Sequence, residues 1–428
     1  MGSFKAQTLG SEWSRRDLDL IIPGFNTRKV YFLIVETTKD GVVVSNPRQA
    51  TLDITPARAY RLHGPSQGSD KNDLHIIPST RFQGSKRRML PWLHEILSNI
   101  RFDTVLDAFG GSGCVSYLLK RMGKEVTFND RLRWNYILGQ AVIVNNRVTL
   151  DDSDVDRILA PRTDYPWGRV VSTNFKGIYY LDSENEWIDT VTTNILKLTG
   201  YSQEILRYKR AVAFYALFQA CLVKRPFNLF HRRNLDVRLR DVSRSFGNKT
   251  TWDTPFADWF RRFVVEANGL VFDSQKQSRA INRDVFDIDP SGFEMVYLDP
   301  PYVKKTPRKE GTDYLRYYHF LEGLATYYSW EKRIDFSTPN RRLKENQREL
   351  AFAPDKAIES FDQLFKHFRK SKIVLSYKAG GIPSVNTLRR LLKKYKSNVK
   401  LITKPYVYAL NRQNGDKSLN RECVLIGV

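Results

Sequence analysis

The segment that most constrains this chain joins a short apolar run, residues 295–298, to the sequence Asp299-Pro300-Pro301-Tyr302. Two successive prolines remove two backbone donors and hold φ at about −65°, so a strand over the apolar run has to end there. The carbonyl of Pro300 is then available to a ligand, beside the carboxylate of Asp299. Open α/β sheets bind ligands just beyond the carboxyl ends of their strands. The alternative is a plain strand-ending turn or a polyproline segment, and a second motif is needed to choose.

A second motif lies at residues 104–113, where an apolar strand pattern runs into a glycine-rich turn and then into helical spacing of apolar residues. Glycines let the backbone approach a ligand closely, and a helix N-terminus offers unpaired amides. The next strand is predicted at residues 125–128, and Asp130 follows Asp107 at about the spacing expected of an acid that binds ribose hydroxyls. The unit therefore predicts a βαβ arrangement with an adenosine-containing cofactor.

A third motif, Arg-Phe-Gln-Gly-Ser-Lys-Arg-Arg at residues 81–88, precedes the other two. With these three motifs in this order, the chain resembles the DNA adenine-N6 methyltransferases in which the S-adenosylmethionine motifs precede Asp-Pro-Pro-Tyr, the class that includes DNA adenine methylase. The resemblance implies an α/β fold with a Rossmann-like methyltransferase sheet, and S-adenosylmethionine as the cofactor. The residues implied to bind this cofactor are Phe82, Lys86, Asp107, Phe109, Gly111, Gly113, Asp130, Asp284 and Asp299. For Asp284, a simple turn role before a strand remains the alternative.

The resemblance also implies the chemistry of the Asp-Pro-Pro-Tyr segment, whose four residues, Asp299, Pro300, Pro301 and Tyr302, are the predicted catalytic residues. The carboxylate of Asp299 and the carbonyl of Pro300 can each accept one hydrogen of adenine N6. A paired adenine has to be rotated out of the duplex to reach them, and Tyr302 is the predicted stacking face. An N4-cytosine methyltransferase, with Ser more usual in place of Asp299, and an RNA adenine methyltransferase, with Asn more usual, are the alternatives. No metal is expected, since the six His form no H-E-x-x-H motif.

The charge of the chain favours double-stranded DNA as the partner. The formal net charge is +23, and a field of this sign concentrates polyanions. Residues 224–249 hold eight Lys or Arg and two Asp, interleaved with Phe and Asn. The glycine-rich recognition segment of the best-known adenine methylases is not reproduced, so no target sequence follows. The predicted DNA contacts are Lys224, Arg225, Asn228, Arg232, Arg233, Arg238, Arg240, Tyr317 and Tyr377, with a core position as the alternative for Tyr377.

The length of 428 residues predicts more than one domain. We expect a small β-rich module over residues 1–75, with strands at 29–37 and 41–45. Residues 76–150 and 271–428 form the expected catalytic domain, and residues 151–270 form a helical insert with the target-recognition region. No signal peptide or membrane-spanning run is recognised. These features predict a cytoplasmic bacterial or phage enzyme that is the modification half of a restriction system, with a cognate restriction endonuclease as a possible partner.

Overall fold

The structure, a computed structural model, describes residues 78–162, 169–240, 249–301, 313–344, 352, 355–405 and 421–428. It also describes the backbone of four short strands before residue 51. The predicted catalytic residue Tyr302 lies outside the described residues. The chain divides into two compact units, Met1–Asp70 and Lys71–Val428.

The four strands of the first unit pair in twos. Strands β1 (Val30–Phe32) and β4 (Arg48–Ala50) are antiparallel, as are β2 (Val35–Thr38) and β3 (Gly41–Val44). The single strand predicted over residues 29–37 is therefore wrong, because this stretch holds two strands that pair with different neighbours. The strand expected at residues 41–45 corresponds to β3.

The second unit is built on a sheet in which seven strands are described. In chain order they are β5 (Thr104–Asp107), β6 (Glu125–Asn129), β7 (Arg279–Ile281), β8 (Met295–Leu298), β9 (Lys372–Lys378), β10 (Val399–Pro405) and β11 (Arg421–Gly427). Their spatial order is β10-β11-β9-β8-β5-β6-β7. The five strands from β9 to β7 are parallel, whereas β11 is antiparallel to both of its neighbours.

Helices surround this sheet. In chain order they are α1 (Leu90–Ser98), α2 (Cys114–Arg121), α3 (Arg133–Gly139), α4 (Asp152–Leu159), α5 (Val170–Asn174), α6 (Asp182–Leu196), α7 (Gln203–Val223), α8 (Leu235–Leu239), α9 (Lys249–Asp253), α10 (Phe256–Leu270), α11 (Tyr314–Ala325), α12 (Tyr327–Trp330), α13 (Ala357–His367) and α14 (Val385–Leu392). None of the helices in the described segments is long and apolar enough to cross a membrane.

Both faces of the sheet are buried, because successive side chains of a strand point to opposite faces. In β8, Met295 and Tyr297 pack into the core with α1, α2, α7, α10 and α11, while Val296 and Leu298 pack into a second core with α13 and α14. Strand β9 alternates in the same way. The result is three layers, helix, sheet and helix, which explains why the central strand β8 is apolar without interruption.

The helices predicted for residues 151–270 are present as α4 to α10. The longest, α7, is capped at its N-terminus by Ser202, whose hydroxyl accepts a hydrogen bond from the Ile205 amide at 3.3 Å. Helices α7 and α10 share the core of the first sheet face. The central helices of the insert are therefore part of the same compact unit as the sheet.

Candidate active site

A cavity of about 390 Å³ opens at the carboxyl ends of the parallel strands β5, β6, β7 and β8. Pockets of roughly 300–1,000 Å³ are typical of small-molecule sites. Eight of the nine residues predicted to bind the cofactor line this cavity, together with Pro300 and Pro301. The eight are Phe82, Lys86, Asp107, Phe109, Gly111, Asp130, Asp284 and Asp299.

The turn between β5 and α2 forms one wall of the cavity. Gly111 and Gly113 have φ of 50° and 75°, the left-handed region that glycine enters without strain. Asp130 holds this turn, because one carboxylate oxygen accepts from the Gly111 amide at 2.8 Å and the other from the Leu132 amide at 2.8 Å. Gly113 itself is the residue before α2 and contributes to the shape of the turn. Burial raises the pKa of Asp130 above its ordinary value.

Gly110 allows the turn to lie against Phe128. A Cβ at residue 110 would lie 2.1 Å from the Phe128 ring. We expect Gly110→Ala to lower the free energy of unfolding by about 1–3 kcal/mol, because the ring is locked in the core and cannot move away. Gly269→Ala is the control, since a Cβ there meets no atom within 4 Å and alanine favours the helix by up to about 1 kcal/mol. Urea unfolding of both variants checks this, and equal stabilities would contradict the packing described.

Asp107 lies at the end of β5, and its two carboxylate oxygens differ in their hydrogen bonding. Its Oδ2 accepts from the Ser116 hydroxyl at 2.6 Å, whereas its buried Oδ1 makes no hydrogen bond of ordinary geometry with the described residues, although the Phe109 amide is close to the carboxylate. Burial raises the pKa of Asp107 to about 7, despite the hydrogen bond from Ser116. A buried oxygen of this kind indicates a missing donor or cation at the cavity.

Lys86 is buried beside the carboxylate of Asp299. Its Nζ lies 3.0 Å from Asp299 Oδ1 and 4.0 Å from Glu422 Oε1. Burial acts to lower the pKa of Lys86, but the two carboxylates outweigh it and raise the pKa above its ordinary value. Lys86 is therefore a fixed positive charge that orients Asp299 at the cavity. Sequence reasoning did not identify Glu422, which lies more than 300 residues from Lys86 along the chain.

An aromatic cluster lies against the glycine turn, since a Cβ at Gly111 would lie 3.2 Å from the Phe82 ring. The Phe82 ring is nearly parallel to the rings of Tyr314 and Tyr318, with centroid distances of 5.1 and 4.9 Å and interplanar angles of 9°, and the two tyrosine centroids lie 6.5 Å apart. The Gln83 amide donates to the Tyr318 hydroxyl at 2.7 Å, and this hydrogen bond ties the segment that carries Phe82 to α11. Tyr314 lines the cavity beside Asp299, and the sequence did not predict it as a site residue.

The far end of the cavity is formed by residues after β5 and β7. The Phe109 ring meets Phe352 edge-on at 5.7 Å. Asp284 accepts from the Phe286 amide at 3.2 Å and caps a helical turn at Val285–Asp287. Asp284 thus lines the cavity and also has the turn role that was its alternative.

The catalytic corner follows β8 directly. Asp299 and the two prolines line the same cavity as Asp107 and Gly111, and Pro300 is buried. The carboxylate of Asp299 is 18% exposed, so it can be reached from the cavity. The strand-ending corner predicted from the sequence is therefore located at the glycine-bordered pocket.

Three of the basic residues predicted to contact DNA point into the protein. Arg225 is 1% exposed and donates to the carbonyls of Leu229, Arg232 and Arg233 at 3.2, 2.7 and 2.9 Å. Lys224 and Arg238 pair with the same carboxylate, Glu184, each at 2.8 Å, and their side chains are 2% and 5% exposed. Because these cations are buried and bound within the protein, we correct their assignment from DNA contact to support of the loop.

The two predicted aromatic contacts are also buried. Tyr377 packs among the residues of the second core and donates to the Pro383 carbonyl at 3.0 Å. Tyr317 is buried, and its carbonyl accepts from the Phe230 amide at 2.9 Å. Neither ring is accessible for stacking on a base, so both are reassigned to the core, which for Tyr377 was the stated alternative.

The remaining predicted contacts lie on the loop that Arg225 supports, except for Arg240, which follows α8. Arg232, Arg233 and Arg240 are exposed and Asn228 is half-buried. Beside Asn228, the ring of Phe227 is 72% exposed and its φ is 62°, which is uncommon for an aromatic residue. Phe227 was not predicted as a DNA contact. The sequence signal for it was an aromatic residue between Pro226 and Asn228 within a basic segment.

Among the described residues, no group of three or more His, Cys, Asp or Glu is placed to hold a metal ion.

Comparisons with known proteins identify relatives over most of the chain. A family model described as D12 class N6 adenine-specific DNA methyltransferase matches residues 82–391. The chain is 30% identical to Type II methyltransferase M2.HphI of Haemophilus parahaemolyticus over 348 residues, which cover 79% of this chain and 95% of the relative. It is 23% identical to Type II methyltransferase M.NlaIII of Neisseria lactamica, over 79% of this chain and 93% of the relative. Modification methylase StsI of Streptococcus sanguinis is 21% identical over 74% of this chain and 46% of its own length.

Proposed function

Because the chain belongs to the D12 class of N6 adenine-specific DNA methyltransferases, we propose that its cavity binds S-adenosylmethionine and that Asp299 and Pro300 hold the amino group of a flipped adenine. The observation that carries this proposal is the placement of Asp299, Pro300 and Pro301 in the same cavity as the glycine turn and Asp107.

The residues of the cavity fit a cationic, adenosine-containing cofactor. The unpaired Oδ1 of Asp107 suits a positively charged group, and the Gly111 turn allows close approach of the backbone. Asp130 has lone pairs left for ribose hydroxyls after accepting its two amide hydrogen bonds. Phe82, Phe109 and Asp284 complete the proposed pocket. When bound, S-adenosylmethionine supplies an electrophilic methyl group on sulfur.

The catalytic corner acts on the amine of the base. Adenine N6 is a weak nucleophile because its lone pair is delocalised into the ring. Asp299 accepts one N6 hydrogen and the Pro300 carbonyl accepts the other, which fixes the amine and stabilises the positive charge that grows on N6 as the N–C bond forms and the sulfur–methyl bond of the donor breaks. The proton that N6 then loses leaves by way of the Asp299 carboxylate. Pro301 keeps the corner rigid, and Tyr302 remains the proposed stacking face for the base.

Cofactor affinity is expected to depend on pH through Asp107. The carboxyl of the free protein titrates with a pKa of about 7, and only the carboxylate pairs with a cation. The dissociation constant should therefore be flat above about pH 8 and rise toward about tenfold per pH unit below about pH 6. Calorimetric titration with S-adenosylmethionine between about pH 5.5 and 8.5 measures this.

Two variants test whether Asp107, and not another titrating group, causes the pH dependence of the dissociation constant. Asp107→Asn should bind more weakly at neutral pH and lose the pH dependence. Ser116→Ala should move the midpoint to higher pH, since the Ser116 hydrogen bond acts to lower the pKa of Asp107. A wild-type dissociation constant that is flat over the whole range would contradict this role.

The DNA-binding surface that we propose comprises the exposed side of the loop after α7 and Arg240, which follows α8. Arg232, Arg233 and Arg240 supply phosphate contacts, while Asn228 and the exposed Phe227 contact bases. The exposed ring of Phe227 suits stacking on a base at the position from which adenine is removed. The net charge of +23 supports a polyanionic partner.

The biological role that we propose is modification in a restriction system. Its support is the names of the relatives, two Type II methyltransferases and one modification methylase. A cognate restriction endonuclease is the partner that this role implies, and a bacterial or phage-infected cytoplasm is the compartment in which such DNA is found.

Sequencing tests the proposed function in a cell that carries this chain. Single-molecule sequencing of host DNA should detect N6-methyladenine at one recurrent sequence, and DNA from cells with Asp299→Ala should lack it. Modified cytosine at the recurrent site, or no modified site at all, would contradict the proposal. Methylation of transfer RNA in preference to duplex DNA would favour the RNA alternative.

A further inference from the structure

Glu422 is a buried carboxylate at the active-site edge of the sheet that the proposed chemistry does not use. It lies at the start of β11, opposite Lys378 of β9 and Lys404 of β10. Because β11 is antiparallel to β9, its first residues lie at the carboxyl ends of the parallel strands. Glu422 shares a strand face with Val424, which packs in the core beside α1 and α2.

The burial of Glu422 requires a compensating charge. Its side chain is 3% exposed, and an ionised carboxylate in such a place is stable only when paired. Lys86 supplies the pair at 4.0 Å, but lies closer to Asp299, at 3.0 Å. Lys86 is therefore shared between one carboxylate at the cavity and one behind it.

Because Lys86 interacts with both carboxylates, Glu422 affects the net charge next to the adenine amine. A pair of Lys86 and Asp299 alone is neutral and attracts a growing positive charge weakly. With Glu422 included, the three buried or half-buried groups at the cavity carry one net negative charge, while the strand neighbours of Glu422, Lys378 and Lys404, are half-buried and exposed to solvent, respectively. Lys86 can then hold Asp299 in position without cancelling its charge, and such an arrangement acts most strongly in the transition state.

We propose that Glu422 is a positioning residue for methyl transfer, which acts through Lys86 to keep Asp299 both oriented and negatively charged. The inference rests on the proposed role of Asp299. It assigns a function in the reaction to a residue on the last strand, beyond residues 82–391 that the family model covers.

The test is Glu422→Gln, which keeps the size of the side chain and removes its charge. We expect kcat to fall about tenfold to a hundredfold, while KM for DNA and the dissociation constant for S-adenosylmethionine change less than about threefold. Glu422→Asp should retain most of the wild-type kcat because it restores the charge. Glu294→Gln is the matched control. This exposed glutamate lies just before β8, at the amino ends of the parallel strands and away from the cavity, where it accepts from the Asp103 amide.

A double-mutant cycle with Lys86→Met decides whether Glu422 acts through Lys86. On the Lys86→Met background, Glu422→Gln should lower the remaining rate by less than about twofold. An equal loss on both backgrounds, or a Glu422→Gln variant with unchanged kcat, would overturn the inference while leaving the proposed function intact. A wild-type protein that transfers no methyl group to adenine would refute the proposed function, and this inference with it.

Discussion

Replacement of Asp299 by alanine is expected to lower the single-turnover rate of methyl transfer about a thousandfold, the loss found when a preorganised transition-state contact is removed. The variant loses an acceptor for N6 and the negative charge at the cavity. Lys86 keeps a carboxylate partner in Glu422, so the protein should still fold. Rapid-quench measurement with DNA and S-adenosylmethionine in excess over their dissociation constants isolates the chemical step.

Two further variants show whether the loss of rate in Asp299→Ala comes from the missing charge or from the changed shape of the side chain. Asp299→Asn keeps the shape but turns an NH₂ donor or a weaker acceptor toward N6, so its rate should stay within about tenfold of that of Asp299→Ala. Asp289→Ala removes an exposed carboxylate from a turn outside the cavity and should transfer methyl at the wild-type rate. An Asp299→Ala variant with more than a tenth of the wild-type rate would contradict the catalytic role.

Replacement of Arg225 by alanine is expected to lower the free energy of unfolding by about 3 kcal/mol or more. The guanidinium binds three carbonyls of the following loop and lies over the Tyr179 ring at 4.4 Å. Removing it leaves buried acceptors unpaired, at about 1–3 kcal/mol each, and a cavity beside them. Burial lowers the pKa of Arg225 to about 10, so the group is still charged at neutral pH. Denaturant unfolding measures the change.

Comparison with lysine and with an exposed arginine separates loop support from phosphate contact. Arg225→Lys keeps the charge but loses the planar fork that reaches several carbonyls, so it too should be destabilised. Arg232→Ala should leave stability within about 0.5 kcal/mol of wild type and weaken DNA binding in a salt-dependent way. If Arg225→Ala were as stable as wild type and only bound DNA less tightly, Arg225 would be a DNA contact after all.

The parts of the fold that local patterns describe were predicted well. Residues 104–107 and 125–129 form adjacent parallel strands, and residues 295–298 form the strand beside them, as their apolar runs indicate. Their carboxyl ends necessarily meet at one edge, so the motif residues after them come together. Family resemblance added the cofactor and the amine chemistry, which spacing alone does not supply.

The direction of a long side chain was not predictable from the sequence. Arg225 and Arg232 belong to one basic run, yet the first is buried and the second is exposed. The difference arises because the loop turns its carbonyls toward Arg225, and only the tertiary structure reveals this. Glu422 was missed for a related reason. Its partner, Lys86, comes from the other end of the catalytic unit, and a single Glu beside an apolar strand is an ordinary surface pattern.

The central claim is that the corner after β8 transfers a methyl group to adenine N6. The most direct measurement uses S-adenosylmethionine with a deuterated methyl group, duplex DNA of mixed sequence and the purified protein, followed by mass spectrometry of the nucleosides. The predicted result is deuterium-labelled N6-methyldeoxyadenosine with the wild-type protein and none above background with Asp299→Ala. Label in N4-methyldeoxycytidine, or equal labelling of adenine by both proteins, would contradict it.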